Sequence, residues 1–280
     1  MTAETGAAER TDAPAGGDGG RTGPSWWRAH ERVVVGGVAI VLVLTLWELL
    51  SQIGFLNPLY SSSPSRIVTR AADYFTSATA WEDVRVSGTQ FVVGFSMAMV
   101  VGIVLGIAIG WYKYVDYALD PFVTFLYTSP RIAFMPLLII WLGIGLASKV
   151  AIVFLGAVFP IIISTASGIK STDATLLKVA RSFGASDRKI FTSVALPGSV
   201  PMIISGLRLG LAHGLIGIVV GELVAATAGV GYRMTQAAAT FQTDLVFALL
   251  ITIAGVGVAL TAVFRRIERQ FDKWRPELHA

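Results

Sequence analysis

The sequence predicts an all-α polytopic membrane protein with six transmembrane helices. Of its 280 residues, 54% are hydrophobic and only 14% are charged, whereas a soluble domain carries roughly 25% charged residues. The mean hydropathy is +0.67. Six apolar stretches approach or exceed the length of about 20 residues that a helix needs to cross a bilayer. They are residues 33–53, 88–111, 121–142, 148–168, 200–226 and 244–264.

The composition also excludes several classes of protein. The chain has no Cys and only three His, which excludes a disulfide framework and argues against a multi-histidine metal site. It contains no Walker A loop, no Gly-x-Ser-x-Gly elbow and no His-Glu-x-x-His motif. A net charge of +4 is too small for a nucleic-acid coat. We therefore predict no catalytic residue, no metal site and no bound cofactor, so the chain is not an enzyme.

The two ends of the chain are predicted to lie outside the membrane domain. Residues 1–30 are expected to form a disordered cytoplasmic tail, because the first 24 residues are polar and small with no apolar period. The transmembrane domain is assigned to residues 31–265, and residues 266–280 are expected to form a basic cytoplasmic tail.

A long loop, residues 51–87, joins the first two predicted spans. Apolar residues recur at near-helical spacing after Ser63 and Pro64, which predicts an amphipathic helix at the outer membrane interface. The helix could be a simple connector or a docking surface.

The third predicted span is interrupted. It contains Pro130 and Pro136, and Arg131 lies between them. Such residues are tolerated at membrane depth where they face protein or a water-filled path. Arg131 could therefore attract an anionic solute, or it could pair with a carboxylate or helix carbonyls. A tight turn at residues 143–147 leads into the fourth span.

Lys and Arg residues predict the orientation of the chain. If the N-terminus is cytoplasmic, fifteen of them lie in inner segments and five in outer segments. The five outer ones are Arg66, Arg70, Arg85, Lys149 and Arg233. The bias favours an N-in/C-in arrangement, and an even number of spans agrees with it.

The basic inner loop at residues 170–199 carries the clearest pattern. One short amphipathic helix is expected before a turn at Gly184 and Ala185, and Ser186 is a suitable N-cap for a second helix that stops at Pro197. Two helices joined in this way predict a rigid knob on the cytoplasmic face.

Small residues recur at four-residue spacing in two spans, which allows helices to approach closely in lipid. The set consists of Gly102, Gly106, Gly110, Gly206, Gly210 and Gly214. These glycines could pack helices within one subunit, or those of the fifth span could line a subunit interface or the solute pathway. His213 and Glu222 lie in the same fifth span as candidate pathway or gate residues, with packing and interface positions as the alternatives.

The inner loop shows a resemblance to a known protein family. The segment resembles the EAA loop of ABC-importer permeases, in which Glu-Ala-Ala is followed by three residues, Gly, nine residues and Ile-x-Leu-Pro. Ala180, Gly184, Leu196 and Pro197 match this pattern. Lys178 stands at the position of the family Glu.

The resemblance extends over about residues 60–265. The stretch from Pro130 to Gly145 is similar, more narrowly, to permeases of the nitrate, sulfonate and taurine type. The segments around Ser205 to Leu209 and Gly221 to Leu223 also resemble the binding-protein-dependent transport system permeases.

The resemblance implies a type I ABC importer permease in the plasma membrane of a bacterium. Such a subunit forms the solute pathway as a homodimer in the lipid bilayer, receives solute from an extracytoplasmic binding protein, and couples to two cytoplasmic ATPases that hold ATP and Mg. By match, the coupling residues are Ala180, Phe183, Gly184, Ala185, Leu196 and Pro197.

The sequence does not decide between two classes of solute. A small anion such as a sulfonate, nitrate, taurine or an aromatic carboxylate is the default for this type, and a thiamine precursor or a riboflavin-like solute is the alternative. An ATPase-independent secondary transporter would need internal repeats and a midplane ion site, for which the sequence gives no sign.

Overall fold

The structure, a computed structural model, describes residues 25–57 and 59–270, apart from the side chains of residues 25–29 and 32. Most of the predicted N-terminal tail and the last ten residues of the predicted C-terminal tail lie outside the described residues. The chain divides after Trp47 into two units. The first contains most of the first helix, and the second contains the helical bundle considered below.

The described residues are almost entirely helical. The α-helices are α1 (Ser25–Gln52), α2 (Pro64–Phe75), α3 (Ala78–Trp111), α4 (Lys113–Thr128), α5 (Met135–Leu142), α6 (Leu146–Lys170), α7 (Ala174–Ser182), α8 (Asp187–Ile190), α9 (Leu196–Val224), α10 (Val230–Ala239) and α11 (Thr243–Gln270). A 3₁₀ turn at Arg131–Phe134 precedes α5, and a π turn at Phe191–Ala195 joins α8 to α9.

Five of these helical segments are long and apolar enough to cross a membrane. They include α1, α3, α6, the continuous segment from α8 through α9, and α11. The pair α4 and α5 passes the same test together, although its two halves meet at an angle of 91°. The all-α architecture with five to six apolar spans agrees with the prediction.

Contacts of glycines fix the direction of α3 relative to α6. A Cβ atom at Gly102 would lie 2.8 Å from Ile161 Cβ, one at Gly106 would lie 2.5 Å from Thr165 Cβ, and one at Gly110 would lie 2.6 Å from Ile169 Cβ. Contact positions therefore increase together along both helices, so α3 and α6 run parallel. The missing side chains allow the two backbones to approach closely.

The opposite order holds for α9. Gly206 contacts Ser164, Gly210 contacts Ala157 and Ile161, and Gly217 contacts Ile152. The residue numbers of the contacts on α6 therefore decrease as those on α9 increase, so α9 runs antiparallel to α6. All six predicted packing glycines thus lie at contacts inside the α3, α6 and α9 core, with Gly214 near Phe91.

The parallel arrangement decides the course of the bent pair. Since α3 and α6 run the same way, the chain that leaves α3 at Trp111 must return to the opposite end of the bundle before α6 begins at Leu146. The pair α4 and α5 makes this return. We therefore describe it as the sixth span, broken at residues 129–130.

Several boundaries differ from the sequence prediction. The helix α3 begins at Ala78, ten residues before the predicted span, because Ser77 caps it by accepting a hydrogen bond from the Ala80 amide. Most of the predicted loop at residues 51–87 is therefore helical. The expected amphipathic helix is confirmed as α2, with Ser63 as its N-cap. Helix α1 begins at Ser25 and α11 extends to Gln270, so both enter regions assigned to the tails.

Candidate functional site

A helical knob protrudes at the end of the bundle where α3 and α6 terminate. Helix α7 starts at an N-cap, Asp173, whose carboxylate accepts a hydrogen bond of 2.6 Å from the Thr175 amide. At its other end the Gly184 amide donates to the Arg181 carbonyl and the Ala185 amide to the Ala180 carbonyl. This pair of bonds is a Schellman motif, which requires a left-handed residue after the helix. Gly184 provides it with a φ of +73°.

The second helix of the knob, α8, begins at the predicted residue but does not end where the sequence predicts. Ser186 caps α8 by accepting from the Lys189 amide. The prediction that this helix stops at Pro197 is wrong, because α8 continues through the π turn into α9. Pro197 has no amide to donate to the carbonyl four residues earlier. It lies in the first turn of α9, directly after the wider π turn, where the lost bond is tolerated.

The knob is anchored at one side only. Ile190 and Ala195 are buried, and the Phe191 ring packs against Trp111 at the end of α3 with ring centroids 5.0 Å apart. Helix α7 buries none of its residues. Its apolar side chains Leu176, Val179 and Phe183 are exposed, Phe183 to 87%. At a spacing of three and four residues they form one exposed apolar stripe.

An ion pair links α6 to the broken span at the end of the bundle that carries the knob. Lys170, the last residue of α6, forms an ion pair of 2.7 Å with Asp116 in the first turn of α4. Lys178 of α7 is exposed and makes no ion pair with the described residues.

A buried polar cluster occupies the opposite end of the bundle. Asp83 of α3 is 2% exposed and accepts hydrogen bonds from the Tyr74 hydroxyl, the Gly229 amide and the Arg233 guanidinium at 2.8, 3.1 and 2.8 Å. Burial, together with the bond to Asp83, raises the pKa of Tyr74, so its hydroxyl remains a donor. The hydrogen bond to Asp83 raises the pKa of Arg233, which therefore remains charged.

Glu222 forms the second half of this cluster. Its carboxylate is 2% exposed and accepts from the Ser87 hydroxyl at 2.6 Å and from the Gly231 amide at 2.7 Å. Ser87 in turn accepts from the Val230 amide at 2.9 Å. Asp83 and Glu222 thereby hold the start of α10, and the turn at residues 225–229 is fastened to α3 and α9. Gly229 has a φ of +116°, a backbone conformation that residues with a side chain rarely adopt.

Lys149 completes the cluster from α6. It is 1% exposed, and its ammonium donates to the Ala225 carbonyl and weakly to Ser148. Lys149 and Arg233 are two of the five cations assigned above to outer segments. Neither is a free loop charge, because Lys149 is buried in the bundle and Arg233 is paired with Asp83.

The remaining sequence candidates lie apart from this cluster. Arg131 begins the 3₁₀ turn in the broken span, donates to the Gly156 carbonyl of α6 at 2.9 Å and lies over the Tyr127 ring at 5.4 Å. His213 bonds through Nδ1 to the Leu209 carbonyl of its own helix at 2.9 Å. Arg131 thus ties the broken span to α6, whereas the His213 bond stays within α9.

A family comparison identifies the chain. Residues 98–273 match the family described as the binding-protein-dependent transport system inner membrane component. The chain belongs to this family. It is thus a permease of the ABC transporter class, a multi-pass protein of the inner membrane, and the ATPase of such a system is a separate subunit.

Curated relatives agree with this assignment. The permease is 31% identical over 257 residues to the taurine transport system permease protein TauC of Escherichia coli, covering 90% of this chain and 94% of TauC. It is 33% identical over 234 residues to the putative aliphatic sulfonates transport permease protein SsuC of Bacillus subtilis, covering 84% and 85% of the two chains.

A solved structure supports the fold of the permease. A chain from inward-facing MetNI, a methionine ABC transporter, superposes with a TM-score of 0.60 at 18% identity, covering 68% of this permease and 96% of the MetNI chain. This similarity supports the type I importer fold.

Sequence reasoning missed much of the polar cluster. Asp83, Ser87 and Gln90 lie at helical spacing on one face of α3, but the span was predicted to begin only at residue 88. The N-cap at Ser77 was the available signal for an earlier start. The roles of Lys149 and Arg233 could not be predicted from the sequence, because the groups they bond to are distant in sequence.

Proposed function

We propose that the permease forms, as one of two identical copies, the membrane pathway of an ATP-driven importer for sulfonate-type anions. The observation that carries the solute class is similarity to taurine and aliphatic sulfonate permeases over 84–90% of the chain. Two copies related by a twofold axis would enclose the pathway between them.

The knob supplies the coupling surface in this proposal. The Leu176, Val179 and Phe183 stripe is exposed at the end of the bundle that the positive-inside bias assigns to the cytoplasm. Such a stripe favours a protein partner with an apolar groove. Each copy would insert its knob into one ATPase, which holds ATP and Mg, and Ala180, Gly184, Ala185, Leu196 and Pro197 would set the shape of the knob.

The opposite end would face the binding protein. Helix α2, the turn at residues 225–229 and α10 lie there, and the Asp83 and Glu222 bonds keep that turn in place. Glu222 therefore acts as a positioning residue of the outer rim. We assign Arg131 to helix packing, because it donates to the Gly156 carbonyl of α6, and His213 to a local role in α9, where it bonds to the Leu209 carbonyl.

Reconstitution tests the function directly. The permease is purified with its ATPase, inserted into liposomes and supplied with its binding protein, and uptake of labelled 2-aminoethanesulfonate and ethanesulfonate is measured with and without ATP. We expect uptake that requires both ATP and the binding protein. Uptake of a thiamine-precursor pyrimidine instead would overturn the solute class, and uptake without ATPase would overturn the importer mechanism.

A knob variant tests the coupling surface. Phe183→Asp should remove ATPase from the purified complex, because it puts a charge into an apolar contact. Phe241→Asp, the same change at an exposed phenylalanine at the opposite end of the bundle, is the matched control and should retain the ATPase. Equal retention by both variants would contradict the assignment of the stripe.

A further inference from the structure

An ion pair joins α9 to α11 in the half of the bundle that carries the knob. Glu268 of α11 is 6% exposed, and its carboxylate accepts from the Arg208 guanidinium at 2.8 Å and from the Ser205 hydroxyl at 3.2 Å. Arg208 also donates to the Ser205 hydroxyl at 3.4 Å. These three residues form the α9–α11 junction. Each of them bonds to the other two, so directional bonds fix the geometry of the contact.

Helix α11 is buried at its two ends. Leu245, Ala248 and Leu249 are buried near its start, where α11 packs with side chains of α2, α3 and α10. Near its other end the buried residue is Glu268. None of the residues 250–267, all of which the structure describes, is buried. The α9–α11 junction is therefore the place where the second end of α11 is held to the bundle.

Between these two ends a cavity separates α9 from α11. Its volume is about 580 Å³, and its walls come from residues 212–220 of α9 and residues 253–265 of α11. The contacts beside it are apolar, such as the Phe264 ring against the Phe95 ring of α3, with centroids 6.3 Å apart. Apolar contacts have no preferred direction, so helices can slide at them. Along this stretch, a shift of α9 need not move α11.

The junction behaves differently from these apolar contacts. Arg208 lies in the same helical segment as the knob, about 20 Å beyond the π turn at 1.5 Å per residue. Separating α9 from α11 here would leave the buried carboxylate of Glu268 without its cation, which is strongly unfavourable. A shift of α9 at Arg208 must therefore take the end of α11 with it.

We propose that the α9–α11 junction makes α11 follow α9 when the knob moves, so that the two helices shift together in each transport cycle. Ser205, Arg208 and Glu268 are thus positioning residues for ATP-driven uptake. This role rests on the proposed function and adds to it a route from the ATPase to the last helix of the bundle. An ion pair that serves folding alone is the alternative that the test separates.

Charge exchange tests this role in proteoliposomes that contain the permease and its ATPase, with binding protein supplied. Uptake of labelled 2-aminoethanesulfonate and hydrolysis of ATP are measured on the same preparation. Arg208→Glu and Glu268→Arg should each lower the uptake per ATP hydrolysed by about tenfold or more, the size of an ordinary coupling between sites. The double variant should restore most of this ratio, because it rebuilds the ion pair with its charges reversed.

Two further variants control for a loss of folding. Arg266→Glu makes the same change of charge as Arg208→Glu, but at an exposed arginine of α11, and it should leave the uptake per ATP unchanged. Glu268→Gln keeps the shape of the side chain and removes its charge. It should lower the ratio in a protein that reaches the membrane, even where a charge reversal fails to accumulate. Thermal unfolding midpoints in detergent are recorded for every variant.

Three results would overturn the proposal. The first is an unchanged uptake per ATP in Arg208→Glu or in Glu268→Gln. The second is an equal fall of uptake and hydrolysis together with a lower unfolding midpoint, which would assign the junction to folding alone. The third is a double variant that recovers nothing, which would show that the two charges act separately. Absence of uptake by the wild type would overturn the proposed function itself and, with it, this role of the junction.

Discussion

Gly184 has a left-handed backbone and open space around its Cα, so its role can be tested by conformation alone. Gly184→Val should cost about 1–3 kcal/mol of local strain and break the Schellman turn. We expect normal membrane levels, weaker ATPase association and loss of stimulated ATP hydrolysis in proteoliposomes. Gly184→Asn is the control, because Asn tolerates this conformation. Wild-type coupling by the Val variant would contradict a shape requirement at this turn.

Glu222 allows a second test at the scale of one residue. In Glu222→Gln one of the two carboxylate oxygens becomes an amide donor, so either Ser87 or the Gly231 amide loses its acceptor. The expected cost is about 1–3 kcal/mol. Hydrogen exchange at the start of α10 should become faster by about tenfold or more, as measured by mass spectrometry. The exposed Glu82→Gln should leave exchange unchanged, and the same rate in both variants would count against the positioning role.

At this scale the sequence predicted what depends on neighbours along the chain. The Gly184 turn, the Ser186 cap and the start of a helix after Ser63 follow from local backbone chemistry, and each was found. The pairing of Asp83 with Arg233 joins residues 150 positions apart. No local pattern specifies such a pair, so it required the structure.

The packing of α3 on α6 makes a prediction at the scale of helices. Gly106→Ala places a Cβ 2.5 Å from Thr165 Cβ, whereas Gly88→Ala on the same helix meets nothing within 4 Å. The first change should destabilise the permease by about 1–3 kcal/mol through overpacking and lower its thermal unfolding midpoint in detergent. The second should not lower it. Equal midpoints would show that the helices can separate at Gly106 without cost.

Helix positions were predictable to different degrees. Apolar length located every span, and the four-residue glycine repeat indicated close packing. The start of α3 was missed because its first turns carry Glu82, Asp83 and Arg85, which resemble a loop in composition. These charges are tolerated because Asp83 is paired inside the bundle and the other two are exposed.

The orientation of the whole molecule is accessible to cysteine labelling, because the chain has no native Cys. Thr79 lies at the end of α3 that the charge bias assigns to the outside, Lys178 lies on the knob, and both are exposed. A membrane-impermeant maleimide should label Thr79→Cys in intact cells and Lys178→Cys only after permeabilisation. The opposite labelling pattern would reverse the N-in/C-in orientation, and with it the side on which an ATPase could bind.

The continuous helical segment Asp187–Val224 has a mechanical consequence. Its 38 residues make a rod of about 57 Å at 1.5 Å per residue. Gly206, Gly210 and Gly217 hold the middle of this segment against α6, over about 17 Å by the same rise. A displacement of the knob would therefore be passed to the Glu222 end along one continuous helix, and not through a loop that could absorb it.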